Sequence, residues 1–378
     1  SMNAFIALVR KDLLLHFQNR RAVIMGFIAP ILIAAFFGSL FGNSGSGNKP
    51  AMVPIAVIDL DHSAASERLV AALRADTAFS VSDKPAAEAA ALVQGGELRA
   101  AITLPAGFGE QGLRALISGG DKPAIELRYD PSQATTLPMV RGIVMQHVIA
   151  SLTAGLPGGK GFSAPFEMKE VQAAAKAATP YNSYAHSFAG MGVQFILLMG
   201  VETGVGLLLM RRLGLWKRLR AAPLSRATLL GSRVASTALI AITVFAVLYA
   251  VGMAVFGVRI DGSLPGFALV VLAYALLTAS FGLLIAAIGR TPEATRGLAI
   301  LATLLMVMLG GAWVPSFVFP QWLQQASLLV PTHWAVEGLE AMTWRGLPFS
   351  AALAPTAAML GFTAVFSAIA LWRFDWEE

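Results

Sequence analysis

The hydrophobic positions along this chain follow three rhythms, and each predicts its own kind of element. Residues 2–19, MNAFIALVRKDLLLHFQN, mix apolar and polar positions at roughly helical spacing. This predicts a short amphipathic helix lying in a membrane interface, with Arg10 and Lys11 near the headgroups. Ala22–Gly42 then runs 21 residues without a charge, enough to cross a hydrocarbon core of about 30 Å. The polar region before it is too long for a secretory leader, and the run exceeds the usual ~7–15 apolar residues of one, so it reads as a first span. Ser1 before Met2 reads as a residue left by tag removal.

After GNSGSGNKP (42–50), a flexible linker by composition, the rhythm becomes that of a soluble domain. PIAVIDL, FSVSD, LRAAITLP and PAIELRYD read as strands. SAASERLVAALRA, KPAAEAAALVQGG, AGFGEQGLRALISGG and ATTLPMVRGIVMQHVIASLTAG read as helices. Strands alternating with helices predict an α/β domain of roughly one hundred residues. Gly155–Thr179 reads as a loop and a polar helix leading back to the membrane.

From Tyr184 the lipid pattern returns. Span 2 covers about Ser187–Met210, interrupted by Glu202. Span 3 lies between Arg233 and Arg259, span 4 between Asp261 and Arg290, and span 6 between Arg345 and Arg373. Span 5 starts near Gly297 and is too long for one crossing. Pro315, Pro320 and Pro331 break it, so residues 314–345 re-enter the membrane or lie at its interface. The predicted architecture is an α-helical membrane protein with six transmembrane helices, an N-terminal interfacial helix and an inserted extracytoplasmic α/β domain. Its parts are 1–42, 43–180 and 181–378.

Composition agrees: 56% of residues are hydrophobic and only 13% charged, with mean hydropathy +0.66. Soluble chains carry about 25% charged residues. The net charge of +6 is no sign of nucleic acid, because the cations cluster beside apolar runs. Without cysteine there are no disulfides and no thiolate metal sites. One side of the six-span arrangement collects Arg10, Lys11, Arg20, Arg21, the basic residues of 211–233, Arg290, Arg296 and Arg373. The short loops of the other side hold only Arg259 and Arg345. By the positive-inside rule both termini are cytoplasmic and residues 43–180 extracytoplasmic, while Trp313, Trp322, Trp334 and Trp344 fall near the outer interface.

Residues 211–226, RRLGLWKRLRAAPLSR, hold six basic residues and no acid. Orientation accounts for part of that charge. Leu213, Leu215, Trp216, Leu219 and Leu224 interleave with the cations, and Pro223 stops a short helix. A short amphipathic cytosolic helix suits docking as well as an interface.

RRLGLWKRLRAAPLSRATLLGSR resembles the cytosolic loop after the second span of ABC-2 type transporter permeases. GGAWVPSFVFPQWLQQASLLVPTHWAVEGLEAM resembles the segment after that family's fifth span. VPIAVIDLDHSAASERLVAAL is similar to the opening of the large extracytoplasmic domain that one bacterial subfamily inserts between spans 1 and 2. Lys217 departs from the pattern, since many members carry an acid there. The resemblance implies that Leu215, Trp216, Lys217, Arg218, Leu219, Arg220 and Pro223 form a coupling helix resting on a separate ABC ATPase subunit. It also implies a second permease chain, identical or related, and ATP and Mg on the partner ATPase. The chain itself is not expected to be an enzyme and carries no cofactor. A P-loop needs G-x-x-x-x-G-K-[ST], and AGLPGGKG (154–161) lacks the leading Gly and the hydroxyl.

Glu202 is the one acid within an otherwise apolar span. On insertion scales such a carboxylate costs about 2.5–3.5 kcal/mol, so it should face protein, water or a partner. Gln194, two turns earlier, is placed to share its face. His333 and Glu337 stand at i, i+4 with Glu340 one turn on, and Asp59, Asp61 and His62 meet at a strand end. Neither set is a metal site on this spacing; pairing among the residues and capping by Ser63 explain them. Gln194, Glu202, His333 and Glu337 are the candidate pathway residues.

The reading is the permease subunit of an ABC exporter in a bacterial inner membrane. The external domain has three open roles: receiving substrate, gating the exit or docking a periplasmic adaptor. The alternative is an ion-gradient-driven secondary transporter with Glu202 as proton carrier, against which stands the lack of an internal inverted repeat. Drug-like amphiphiles, lipids, peptides and ions all suit an apolar cavity.

Overall fold

The computed structural model describes residues 2–42, 52–129, 136–158, 183–316 and 319–374, without the side chains of 41, 42, 216 and 220. The linker expected after 42 and the polar helix expected before 179 lie outside the described residues. The chain divides into two compact units, one built from 1–48 with 172–378 and the other from 49–171.

Among the described residues of the first unit, six helices are long and apolar enough to cross a membrane, the number predicted. The chain opens with α1 (Met2–Gln18). Asn19 then accepts hydrogen bonds from the amides of Arg21 and Ala22 and starts α2 (Arg20–Val23). A π-helical turn over Ile24–Ile28 leads into α3 (Ala29–Gly42). The turn sits where Pro30 has no amide to give back to the preceding turn, so the ladder there loosens. Together α2, the π turn and α3 make span 1.

Spans 2, 3 and 4 are α8 (Ser183–Arg212), α10 (Arg226–Val255) and α11 (Leu264–Ile288). Helix α11 carries no charge and is the most enclosed, wrapped by α8, α10 and α15 (Leu353–Arg373), which is span 6. Lipid gives apolar helices no hydrophobic reason to associate, so close backbone packing must hold them. Small residues supply it: a Cβ on Gly200 would meet Thr278 Cγ2 at 2.8 Å, and one on Gly282 would meet the Gly200 carbonyl at 2.7 Å. The Tyr274 hydroxyl donates to the Val193 carbonyl at 2.6 Å and adds a polar tie inside this contact.

Span 5 departs from expectation at both ends. Helix α12 (Pro292–Leu309) starts five residues earlier than Gly297, with Pro292 in the first turn where its missing amide costs nothing. It stops at Gly310 and Gly311, the latter at φ +82°, ahead of Pro315. The Thr332 hydroxyl donates to the Met306 carbonyl at 2.5 Å, so the following chain crosses this helix end closely. Two short helices follow, α13 (Gln321–Ser327) and α14 (Pro331–Met342). Most of α14 is buried against α8, α11, α12 and α15.

The second unit alternates β1 (Val53–Asp59), α4 (Ala64–Ala75), β2 (Phe79–Ser82), α5 (Ala86–Gln94), β3 (Ala100–Leu104), α6 (Phe108–Ser118), β4 (Glu126–Tyr129) and α7 (Leu137–Thr153). Strand order is β2-β1-β3-β4, parallel except for β4. Side chains alternate across the sheet. Ile55, Val57 and Ile102 join Leu69, Leu73, Phe108 and Val144 of α4, α6 and α7 in one core. Ala56 and Ala101 face Ala89 and Val93 of α5 in another. Helices on both faces explain why the strands read as near-continuous apolar runs.

Candidate functional site

Three constellations in the membrane unit carry the polar chemistry. The first is the loop between α8 and α10. Gly214 turns the chain in the left-handed region, φ +71°, and opens α9 (Leu215–Ala221). The helix ends two residues before Pro223, and Ser225 then caps α10 by accepting from the Thr228 amide at 3.1 Å. Leu219 and Leu224 pack on a small core with Leu207, Leu229 and Leu230, which fixes the roll of α9. Lys217 and Arg218 are exposed, and among the described residues no carboxylate pairs with either. Leu215 is exposed as well. A seven-residue helix anchored through Leu219 thus presents unpaired Lys217 and Arg218, with Leu215 uncovered one turn before the anchor.

The second constellation runs along α8 and α12. Arg296 donates from Nε and Nη2 to the two carboxylate oxygens of Glu202 at 3.1 and 3.2 Å. Both side chains remain about half exposed in the single chain. Two turns along, the Trp313 indole donates to Gln194 Oε1 at 2.5 Å. Leu209 extends the same uncovered side of α8, and Leu298, Leu301, Leu305 and Met308 line the uncovered side of α12. Gln194 and Glu202 stand out in the sequence as polar residues in an apolar span. Their partners Arg296 and Trp313 read there only as an orientation charge and an interfacial ring.

The third is a cavity of about 800 Å³ at the C-terminal end of α12, walled by α13, α14 and the start of α15. His333 Nε2 pairs with Glu337 at 3.1 Å, and both line the cavity along with Glu340 and Arg345. Glu340 takes no part in the His333–Glu337 pair. Its carboxylate is held in a buried pair with His186 Nδ1, in the first turn of α8. His186 escaped the sequence reading; its only signal was a titratable ring at the edge of an apolar span. Asp12 escaped too, because its burial depends on which face α1 presents. It accepts from the Ser236 hydroxyl at 3.1 Å and lies 3.5 Å from Arg233, both on α10.

In the α/β unit, Asp59 Oδ1 accepts from the amides of Asp61 and His62, and Ser63 caps α4 with Ser66 in a reciprocal capping box. Asp61 accepts from the amides of Gly107 and Gly109 at the start of α6, at 2.6 and 2.9 Å. Burial alone would raise this carboxyl; hydrogen bonds from Ser63 and the Gly109, Gly107 and Phe108 amides outweigh it and hold it below the usual range. These groups are spent on local structure.

A model of the ABC-2 family transporter protein matches residues 20–372. The chain is 24% identical to the linearmycin resistance permease protein LnrN of Bacillus subtilis (strain 168) over 393 residues, covering 98% of this chain and 99% of that one. It is 25% identical to the inner membrane transport permease YhhJ of Escherichia coli (strain K12) over 329 residues, or 85% of each chain.

Proposed function

Because the chain belongs to the ABC-2 family of transporter proteins, we propose that it is the membrane-spanning subunit of a bacterial ABC exporter whose ATP is hydrolysed by a separate ATPase subunit. The observation that carries this reading is the uncovered side of α8 and α12. A bidentate Glu202–Arg296 pair, half exposed in a single chain, is costly against lipid and tolerable against protein or water. A second copy or a related permease, set against this side, would enclose Gln194, Glu202, Arg296 and Trp313 along a shared pathway.

The α9 loop supplies the other half. Its unpaired Lys217 and Arg218, with Leu215 beside them, suit a partner protein that buries a leucine and offers acids. That partner would hold ATP and Mg. Closure of two such subunits would push α9, and α9 would carry the motion into α8 and α10, which it joins. The basic bias of residues 10–21 and 211–233 supports a bacterial inner-membrane location with cytoplasmic termini, residues 43–180 outside and 314–345 re-entering from that side. The resistance permease relative favours an amphiphilic, drug-like cargo.

Two measurements test this reading. A tagged chain purified from its own cells should retain an ATPase carrying a Walker A motif. Lys217→Glu with Arg218→Glu should cut ATP-dependent transport at least about tenfold, the equivalent of 1.4 kcal/mol in coupling, at unchanged membrane abundance. Intact transport in that double variant would remove α9 from the coupling path.

A further inference from the structure

The cavity at the end of α12 has chemistry that exporter coupling does not use. Arg345 lines it, half-buried, with its guanidinium stacked 4.3 Å above the Trp344 ring. Among the described residues no carboxylate pairs with that guanidinium, so its fork of donors is free. Glu337 lines the same cavity; His333 holds one carboxylate oxygen, yet the side chain is still 51% exposed. Gln321 and Gln325 add amide donors and acceptors to the wall, while Val336 and Pro355 give it an apolar floor. The volume falls within the ~300–1,000 Å³ of small-molecule pockets.

The surroundings set the depth. Trp322 is 69% and Leu329 80% exposed on α13 and the turn after it. Large rings and aliphatics uncovered beside polar amides mark the headgroup level of a bilayer. Below them, Leu353 and Leu360 of α15 are also exposed, a surface for acyl chains. A planar guanidinium prefers a phosphate's paired oxygens, and a half-open carboxylate prefers an ammonium. Inorganic phosphate would satisfy Arg345 and leave Glu337 facing an anion. A ligand carrying both charges satisfies both walls.

We propose that this cavity holds the headgroup of a zwitterionic phospholipid from the outer leaflet, its phosphate on Arg345 and its ammonium on Glu337. The leaflet, but not the headgroup chemistry, rests on the orientation proposed above. The test is native mass spectrometry of the full chain in detergent, offered phosphatidylethanolamine and phosphatidylglycerol in equal amounts. The wild type should retain phosphatidylethanolamine preferentially. Arg345→Gln should lower retention of both lipids at least about fivefold, and Arg345→Lys less, because the fork is lost but not the charge. Glu337→Gln should abolish the preference while keeping phosphatidylglycerol. This variant sits at a half-exposed position, so it decides the matter even if Arg345→Gln fails to fold. Equal retention of both lipids by the wild type, or stripping of the lipid by inorganic phosphate alone, would overturn the proposal. Orientation is read separately: the chain has no cysteine, so Gln325→Cys should react with an impermeant maleimide from outside the cell. Labelling only from the cytosolic side would refute the leaflet while leaving headgroup binding to the lipid experiment.

Discussion

Two ion pairs hang from the same helix, α8, and they are opposites. His186 at one end meets Glu340 of α14 with both side chains about nine-tenths buried. Glu202, four turns on, meets Arg296 of α12 with both about half exposed. The first pair is closed within one chain and ties a span to the short helix packed on it. The second is open in a single chain, on the side proposed above to meet a second permease. His147 and Asp76 of the α/β unit form a third pair at 2.7 Å, about one-fifth exposed. Burial therefore grades the three, and the energy of breaking each should follow it.

The largest effect is expected at Glu340. Glu340→Ala leaves His186 buried without its partner, and removing one member of a buried pair typically costs about 3–5 kcal/mol. Thermal unfolding in detergent should show it, and adding His186→Ala should recover a good part of the loss. A single variant as mild as a surface change would collapse the comparison.

His147→Ala comes next, at about 1–2 kcal/mol, for a partly buried charge-assisted hydrogen bond. Here pH sharpens the test. The hydrogen bond from His147, helped by the Ala78 amide, holds the Asp76 carboxyl below its usual range. A depressed carboxyl contributes stability that is complete above its unfolded value. That stability fades as pH falls from about 4 through the folded value. Hydrogen exchange on the whole chain should show α4 and α7 losing protection across that window, and less so in His147→Ala.

Glu202→Gln should do least to a single chain, within about 1 kcal/mol in detergent, as for other exposed pairs. Its signature lies elsewhere, in a reduced dimer fraction by light scattering and slower transport. If transport keeps its normal rate and pH dependence, both the proton-carrier alternative and a pathway role for this carboxylate fall away.

Much of the fold was legible because period and length are local properties. The four strands and the helices between 64 and 153 lie within a few residues of their predicted limits, since sheet and helix periodicities are written into consecutive residues. Span 5 shows the limit of that reasoning. Proline is the louder breaker in sequence, yet α12 ends at Gly310 and Gly311, where Thr332 crosses so closely that a Cβ would not fit. The candidate site was half legible. Glu202 and Gln194 stood out as polar groups in an apolar run, but His186, at the edge of its span, and Asp12, in an already mixed helix, did not. Nothing in the chain between them, 94 positions apart, could tell that Glu202 would find Arg296.

The sequence by itself determined what each segment is: which runs can live in lipid, which alternate as a sheet, and which loop carries the surplus of positive charge. Those properties follow from composition over one or two dozen neighbours, because transfer to lipid and backbone periodicity are nearly additive along the chain. Only the tertiary structure decided which face of each span is covered. Spans 4 and 5, α11 and α12, both qualify as lipid-compatible, yet over their most apolar 18 residues 72% of one and 22% of the other is buried. That difference comes from glycine-to-glycine approach and from paired polar groups distant in sequence, and packing of this kind exists only once the helices have met.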